Sequence, residues 1–210
     1  MARPREFDEA AAMNAAIRRF WAKGYEATSV RDLADDMGIT CASLYNAFGD
    51  KRTLYRKALD HYVENGLGER LRRYQRLAPR KAIATFFADS VTRSLDDPAR
   101  RGCMLVNAAL DVAPHDPELR RAVSDVLARI ESFFRRCIAG GQKDGSITTS
   151  QAPKALAEHL LGVHLGLRVL ARVRPERAAL EGVIRPALAM LAPERAAGRR
   201  GVASKSKAQE

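Results

Sequence analysis

Residues 28–51, TSVRDLADDMGITCASLYNAFGDK, decide the fold of this chain. Their apolar residues recur at helical spacing, which predicts two short helices joined by a tight turn. A hydroxyl from Thr28 or Ser29 can accept hydrogen bonds from the free N–H groups at the start of the first helix. Gly38 follows that helix, at a position where glycine adopts the left-handed conformation at the lowest conformational energy. The stretch therefore predicts a helix, a bend and a second helix.

The second helix is predicted to begin after a Thr40 cap and to run to about Ala47. The spacing Ala34-x3-Gly38-x5-Leu44 is typical of a DNA-binding helix-turn-helix, with a small residue where the helices cross and an aliphatic anchor beyond the bend. An ordinary helical hairpin with a solvated polar face is the alternative that this spacing leaves open.

The second helix can be divided into two faces at about 100° per residue. If Leu44 points inward, then Ala42, Ser43 and Asn46 point outward, with Tyr45 on the flank. A small, polar outer face suits a helix in the major groove, because Asn can bond adenine and Ser can bond either base type. This face is therefore the predicted DNA-contacting surface.

The run FWAKGYEATSVRDLADDMGITCASLYNAFGDKRTLYRKAL, residues 20–59, resembles the amino-terminal DNA-binding domain of TetR/AcrR-family transcriptional regulators. The resemblance covers the first sixty or so positions, and beyond them it extends only to helical character and length. Where the family often has a basic residue followed by glycine, this chain has Cys41-Ala42, which removes a possible phosphate contact. The matching residues are Gly24-Tyr25, Thr28-Ser29-Val30, Leu33-Ala34, Gly38, Ser43-Leu44-Tyr45, Phe48 and Lys51.

The resemblance implies double-stranded DNA with a palindromic operator as a partner. Lys51 follows Asp50, a natural cap, and lies in the first turn of the next predicted helix, where the helix dipole disfavours a cation. A DNA phosphate beside that helix end would explain the placement, whereas a solvated lysine is the alternative. The predicted DNA-contacting residues are Thr28, Ser29, Arg31, Thr40, Ala42, Ser43, Tyr45, Asn46 and Lys51.

The composition of the 210 residues, 46% hydrophobic and 29% charged, is ordinary for a soluble globular protein. The net charge of +11 invites a nucleic-acid interpretation, yet residues 1–57 carry only +2 of it. Charge alone therefore does not locate a DNA site. No run of apolar residues is long enough to span a membrane, and the start lacks the apolar region of a signal peptide. We accordingly expect a cytoplasmic location and no membrane contact.

The whole chain is predicted to be all-α, with about nine helices, because no stretch of useful length alternates at period two. Residues 1–50 are predicted to form a three-helix helix-turn-helix domain, and residues 51–77 a linking helix. Residues 78–193 are the predicted effector-binding and dimerisation domain, and residues 194–210 a disordered tail. A tilt at the far end of the linking helix would move the DNA-contacting helix.

The last two predicted helices carry apolar residues on more than one face. Gly162-x3-Gly166 leaves a flat strip on the first of them, where another helix can approach closely. We expect this helix pair to form a homodimer by packing against its two-fold copy, as the family resemblance also implies. Packing within one chain is the alternative.

The family resemblance implies a small-molecule effector that binds between the helices after Pro79. Large apolar residues with a few polar interruptions are the expected lining of such a site. Asn107, inside the apolar run MLVNAAL, is the most suggestive, because a buried amide must find a partner. Ordinary core packing is the alternative for each candidate. The candidates are Phe86, Phe87, Cys103, Met104, Asn107, Phe133, Phe134, His164 and Arg168.

Cys103 follows Arg100-Arg101-Gly102 at the start of a predicted helix. Nearby cations and a helix N-terminus favour the reactive thiolate form. An alternative to a small-molecule effector is therefore redox or electrophile sensing through Cys103, in line with some family members that resemble this segment. A small buried residue is the structural alternative.

Other chemistries find little support in the sequence. Three cysteines at wide spacing argue against disulfides and against a zinc site, and His159 and His164 lie on different helical faces. We therefore expect no metal, no cofactor and no enzymatic activity. The predicted function is a ligand-responsive repressor that an effector releases from its operator by linkage. A helical enzyme or binding module that uses a pocket in the second region is the competing class.

Overall fold

A computed structural model describes residues 7–193, and all its regular elements in that range are helices. The prediction of an all-α fold is confirmed, with ten α-helices in the described range where about nine were expected. The predicted tail, residues 194–210, lies outside the described residues. The helices are α1 Glu9–Lys23, α2 Val30–Met37, α3 Cys41–Phe48, α4 Lys51–Tyr62, a π-helical segment Val63–Gly68, α5 Glu69–Tyr74, α6 Pro79–Leu95, α7 Met104–Asp111, α8 Pro117–Lys143, α9 Pro153–Val173 and α10 Arg177–Ala189.

The helix boundaries of the head, which we define as α1–α3, follow from local capping. Ser29 caps α2, because its hydroxyl accepts from the Asp32 N–H while the Asp32 carboxylate accepts from the Ser29 N–H. Gly38 ends α2 in the left-handed conformation, with φ of +67°. Thr40 then caps α3 by accepting from the Ser43 N–H. The caps at Gly38 and Thr40 thus fix the bend between the two helices.

The core of the head includes one side of α4. Leu33 of α2 and Leu44 of α3 are fully buried, and so is Leu54 of α4. The Tyr55 ring packs edge-on against Phe20 of α1, with 4.9 Å between ring centroids. Because burying a side chain of this size contributes ~1.5–3 kcal/mol, α4 is a structural part of the head as well as the link beyond it.

The connecting helix, which we define as α4, the π-helical segment and α5, runs without a break from Lys51 to Tyr74. Four of its buried positions, Leu59, Val63, Leu67 and Leu71, follow one another at a spacing of four residues. A regular α-helix, with 3.6 residues per turn, would rotate this stripe steadily off one face. The wider turns of the π-helical segment keep it facing the body.

The body, which we define as α6–α10, packs around α8 and α9. Asp116 caps α8 ahead of Pro117, as the sequence indicates. Helix α9 begins at Pro153 without a side-chain cap, and the Ser150 hydroxyl ahead of it accepts from Thr148. None of the helices within residues 7–193 has the length and apolar character needed to cross a membrane.

Candidate functional site

The outer face of α3 is exposed as its helical period predicts. Ala42 and Asn46 are exposed, and 51% of the Tyr45 surface is accessible. Leu44 and Phe48 lie on the opposite face, in the core of the head. These contacts fix the orientation of α3, so its polar side chains lie on the outside of the head and are free to contact another molecule.

Thr40 and Ser43 lie at the start of this face and bond to each other. The Thr40 hydroxyl oxygen accepts from the Ser43 N–H at 3.1 Å, and the two hydroxyl oxygens are 2.9 Å apart. The pair holds the first turn of α3 in place, while Thr40 itself is exposed. The structure therefore brings both predicted contact residues to the same end of the helix.

The start of α2 places some predicted contact residues outward and one inward. Ser29 and Arg31 are exposed. Thr28 is buried, with 1% of its surface accessible, and its hydroxyl donates to the Gly24 carbonyl at 2.7 Å. The expectation of a DNA contact through the Thr28 side chain is thus corrected, because that hydroxyl closes the loop after α1.

Lys51 lies in the first turn of α4, just after the end of α3. Its Nζ is 4.2 Å from the centroid of the Tyr25 ring, a cation–π contact that fixes the side chain. Asp50 caps the helix by accepting from the Thr53 N–H at 2.7 Å. A positioned cation thus lies at the N-terminus of α4, whose N–H groups not used by the Asp50 cap can bind phosphate.

Five of the predicted ligand-binding residues form one aromatic cluster inside the body. The Phe86 ring packs edge-on against Phe134 at 4.9 Å and against His164 at 4.8 Å between centroids. All members are buried, and they fill the space between α6, α8 and α9. The cluster consists of Phe86, Phe87, Phe133, Phe134 and His164.

His164 is the one polar member of this cluster. Its Nδ1 atom has no hydrogen-bond partner among the described residues. Burial, together with the charges of Arg168 and Arg70, lowers the pKa of His164 to about 3. The imidazole is therefore neutral near pH 7, and an unsatisfied buried nitrogen of this kind needs a structural or ligand-binding explanation.

The remaining candidates, among them Met104 in the first turn of α7, lie around the loop before that helix. Asn107 is half-buried: its Nδ2 donates to the Arg101 carbonyl at 3.0 Å, and its Oδ1 accepts from Arg172 at 3.2 Å. Cys103 is half-buried, and the Tyr62 hydroxyl donates to its Sγ at 3.9 Å. The amide thus holds the loop to α9, whereas the thiol faces the connecting helix.

Two clefts on the surface of the body are lined by other residues. One of about 460 Å³ lies between α5 and α8, and one of about 320 Å³ lies between α6 and α10. A search of residues 7–193 finds no group of three metal-ligating side chains. The predicted ligand-binding residues thus occupy a closed core and a loop in this structure, and a ligand in the core would have to separate the aromatic rings.

The contacts between head and body are features that the sequence did not indicate. Arg52 of α4 forms a two-pronged ion pair with Asp116, at 2.5 and 2.9 Å, and also bonds Glu118. On the other side, Trp21 of α1 donates to the Gly102 carbonyl at 3.2 Å. Each pair is separated by more than sixty residues, so no local pattern reveals it. The sequence signal for the ion pair is limited to a basic residue near the start of α4 and acidic residues at the start of α8.

The head, with its exposed α3 face, and the helical body together define a helix-turn-helix DNA-binding regulator. Models of known families agree with this class. Residues 12–58 match the model described as "Bacterial regulatory proteins, tetR family", and residues 79–187 match "Tetracyclin repressor-like, C-terminal domain". The chain therefore belongs to the TetR family of bacterial transcriptional regulators, and the resemblance noted in the sequence is confirmed.

Individual relatives cover nearly the whole chain. The uncharacterised helix-turn-helix regulator YezE of Bacillus subtilis is 31% identical over 91% of this chain and 100% of its own length. The repressor ComR of Escherichia coli is 30% identical over 85% of each chain. A cysteine-substituted form of the TetR-family regulator CifR, solved with a 26-base-pair operator duplex, is 33% identical with a TM-score of 0.80, over 90% of this chain and 100% of that one. The likeness thus includes both head and body.

The buried, neutral state of His164 predicts a pH dependence of stability. Because its folded pKa lies below the unfolded value, the unfolded chain binds an extra proton between about pH 6.5 and the folded value of about 3. Stability from this residue is complete above pH 6.5 and falls as the pH drops, by up to about 1.4 kcal/mol per unit. Urea unfolding at pH 7.0 and 4.5 is expected to show a smaller loss for His164→Phe than for the wild type.

The exposed His159 on the same helix supplies the control. His159→Gln is expected to retain the wild-type pH dependence. If His164→Phe also lost as much stability as the wild type between these pH values, His164 would not be a buried neutral imidazole.

Proposed function

We propose that this protein is a dimeric repressor that binds a palindromic operator through α3 and is released when the body binds a small effector. The proposal rests above all on one observation, the exposed polar face of α3 beside the N-terminus of α4. Effector-controlled repression is typical of the family to which the chain belongs. A chromosomal operator as partner also supports the expected cytoplasmic location.

The contacts that we propose divide into two kinds. Tyr45 and Asn46 are exposed on α3, where they contact base edges and adjoining sugars in the major groove. Ser29, Arg31 and Lys51 flank this face and contact phosphates, which positions the head without specifying sequence. The relative CifR, which is solved with its operator duplex, supports operator DNA as the partner.

Asn46→Ala tests the base contact. We expect operator affinity to fall about tenfold or more, because a well-formed Asn–adenine pair contributes ~1–3 kcal/mol of discrimination. Fluorescence anisotropy with a duplex selected from the DNA upstream of the gene measures the change, and unrelated DNA should be bound equally by both proteins.

Asn65→Ala is the matched control, since Asn65 is exposed on the connecting helix and is not one of the proposed DNA-contacting residues. Equal operator affinity of Asn46→Ala and the wild type would contradict the proposed contact. Catalytic turnover by a chain that binds no DNA would instead support the competing class, a helical enzyme.

Dimerisation through α9 and α10 is the second part of the proposal. Four large hydrophobic side chains on these helices are exposed in the single chain, although such residues are normally covered. On α9 they continue the strip begun by Gly162 and Gly166, where nothing lies within 4 Å of an added Cβ atom. A second copy of the chain would cover this surface. The four side chains are Val169, Val173, Val183 and Met190.

Val169→Arg tests the dimer surface. A guanidinium at the centre of an apolar helix pair cannot be paired there, so we expect sedimentation velocity to show a shift from dimer towards monomer. Leu110→Arg is the control, because Leu110 is 61% exposed on α7, outside the proposed surface. A Val169→Arg protein that remains dimeric at the same concentration would contradict this interface.

The connecting helix joins the two proposed activities. Arg52 and Arg56 tie α4 to Glu118 at the start of α8, at 2.8 and 3.4 Å. A movement of α8 therefore acts on α4 and on the head that packs against it. An effector lowers DNA affinity if it favours a body conformation in which the two heads of the dimer no longer match successive major grooves. By linkage, DNA lowers the affinity for that effector by the same factor. For a small-molecule effector we propose the region of the aromatic cluster, where the unpaired His164 nitrogen supplies a polar contact.

Thiol sensing through Cys103 is a second candidate, and the contacts of its sulfur favour it. Burial raises the pKa of the Tyr62 hydroxyl, so this group remains protonated and donates to the Cys103 sulfur. The positive charge of Arg168 is close enough to Tyr62 to oppose this rise in its pKa, so a cation lies in the same part of the fold. The Tyr62 hydroxyl lies beside the Cys103 sulfur, the atom that an electrophile would modify, and Arg168 donates to the carbonyl of the preceding Gly102.

Alkylation by N-ethylmaleimide tests this candidate in a Cys41→Ser background, since Cys41 is exposed on α3. We expect Cys103 to react faster than glutathione and operator affinity to fall when it is modified. Cys137 is buried with its pKa raised to about 11, so it serves as an unreactive internal control in mass spectrometry. A Cys103 rate no greater than that of glutathione would exclude the sensor.

A further inference from the structure

The Gly102 carbonyl is a hydrogen-bond acceptor shared by the head and the body. Trp21 of α1 donates its Nε1–H to this oxygen at 3.2 Å, and Arg168 of α9 donates from Nη2 at 3.1 Å. The two donors come from helices 66 and 81 residues away from the loop. One backbone oxygen thus connects a head residue to a residue inside the body.

On the head side, Trp21 is held to the loop by more than this bond. The Arg101 guanidinium lies 4.0 Å from the centroid of the indole ring, and the Tyr62 ring packs edge-on at 5.2 Å. Arg101 is itself anchored to Asp97, which accepts from its N–H at 2.6 Å and from its Nε at 3.1 Å. The indole therefore moves with the loop.

On the body side, Arg168 is a buried cation, with 8% of its surface accessible. Its Nη1 donates to the Ser94 hydroxyl at 2.7 Å and to the Ser90 carbonyl at 3.2 Å, both on α6. Among the described residues no carboxylate lies within ion-pair distance of it. A buried charge without a counter-ion depends on its hydrogen bonds, so Arg168 must keep the Gly102 carbonyl as an acceptor or replace it.

The loop between the two donors has little freedom to adjust. Arg100 has φ of +51°, which is unfavourable for a residue with a side chain. Gly102 has φ of +76°, and a Cβ atom there would come within 2.8 Å of the Arg172 side chain. Because the backbone is confined at both positions, a shift of Arg168 displaces the carbonyl rather than being absorbed by the loop.

We infer that the Gly102 carbonyl is a relay through which α6 and α9 of the body set the position of the head, with Trp21 and Arg168 as positioning residues. The inference rests on the proposed function, because it describes how a change in the body reaches α3. A signal that withdraws Arg168 releases the carbonyl, and with it Trp21 and α1. The head then changes its position relative to the body.

The chain contains a single tryptophan, so the emission of Trp21 reports directly on this relay. Arg168→Lys keeps the charge but loses the forked geometry that reaches both α6 and the loop. In the full chain without DNA, we expect a shift of the Trp21 emission maximum and stronger quenching by acrylamide. Arg174→Lys, at the exposed end of α9, is the matched control and should leave the emission unchanged.

Ser94→Ala is a second, milder variant, since it removes one acceptor of Arg168 and leaves the buried cation in place. It should produce a smaller shift of the same kind. Circular dichroism and melting identify any variant that fails to fold. Unchanged Trp21 emission in folded Arg168→Lys and folded Ser94→Ala proteins would overturn the relay.

A double-mutant cycle of Trp21→Phe with Ser94→Ala tests transmission to the head. We expect their effects on operator affinity to be non-additive by about threefold or more, as for residues that belong to one hydrogen-bond network. Additive effects would overturn transmission through the carbonyl. If the chain bound no operator, the proposed function would fail, whereas the DNA-free fluorescence would still decide whether the relay exists.

Discussion

The connecting helix packs against the head and the body at once, and the rest of the structure depends on this constraint. Leu54, Tyr55 and Ala58 are buried against the head, while Val63 and Leu67 further along are buried beside the body. Burial of these side chains outweighs the exposed ion pairs in energy, since pairs in water contribute little to stability. The head and the body are therefore distinct in sequence but share one continuous helix.

The ion pairs at the start of α8 determine orientation more than stability. Asp116 accepts from two N–H groups of its own helix and from Arg52, and the Arg52 hydrogen bond is the largest cause that lowers the pKa of the Asp116 carboxyl. The carboxylate is therefore charged at every physiological pH. This contact and the Gly102 carbonyl hold the head at two separate points. The position of α3 is thus fixed by bonds that a change in the body can alter.

Local chemistry in the sequence predicted most of the head. Ser29, Gly38 and Thr40 act within a few residues of themselves, so their caps and the bend could be predicted without tertiary information. Thr28 carries the same type of hydroxyl as Ser29, yet it bonds to Gly24, because the loop geometry decides which of two adjacent hydroxyls reaches the helix. The outward face of α3 followed from helical period once Leu44 was placed inside.

The body could be predicted less completely, for two physical reasons. Apolar periodicity identifies buried residues such as Phe86 and Phe134, but it does not distinguish a packed core from the wall of a cavity. Arg168 was predicted as a ligand contact because it interrupts an apolar run, whereas its partners lie 66 to 78 residues away. The π-helical segment could not be predicted either, because a spacing of four between buried residues such as Leu59 and Val63 also occurs in an ordinary α-helix.

The central claim is that a dimer of this chain places two α3 helices in successive major grooves. Hydroxyl-radical footprinting on the selected operator tests it most directly. We expect two symmetric protected segments whose centres lie about 10 base pairs apart, or a multiple of that spacing. A single protected segment without two-fold symmetry, produced by a protein that stays monomeric on the duplex, would contradict it.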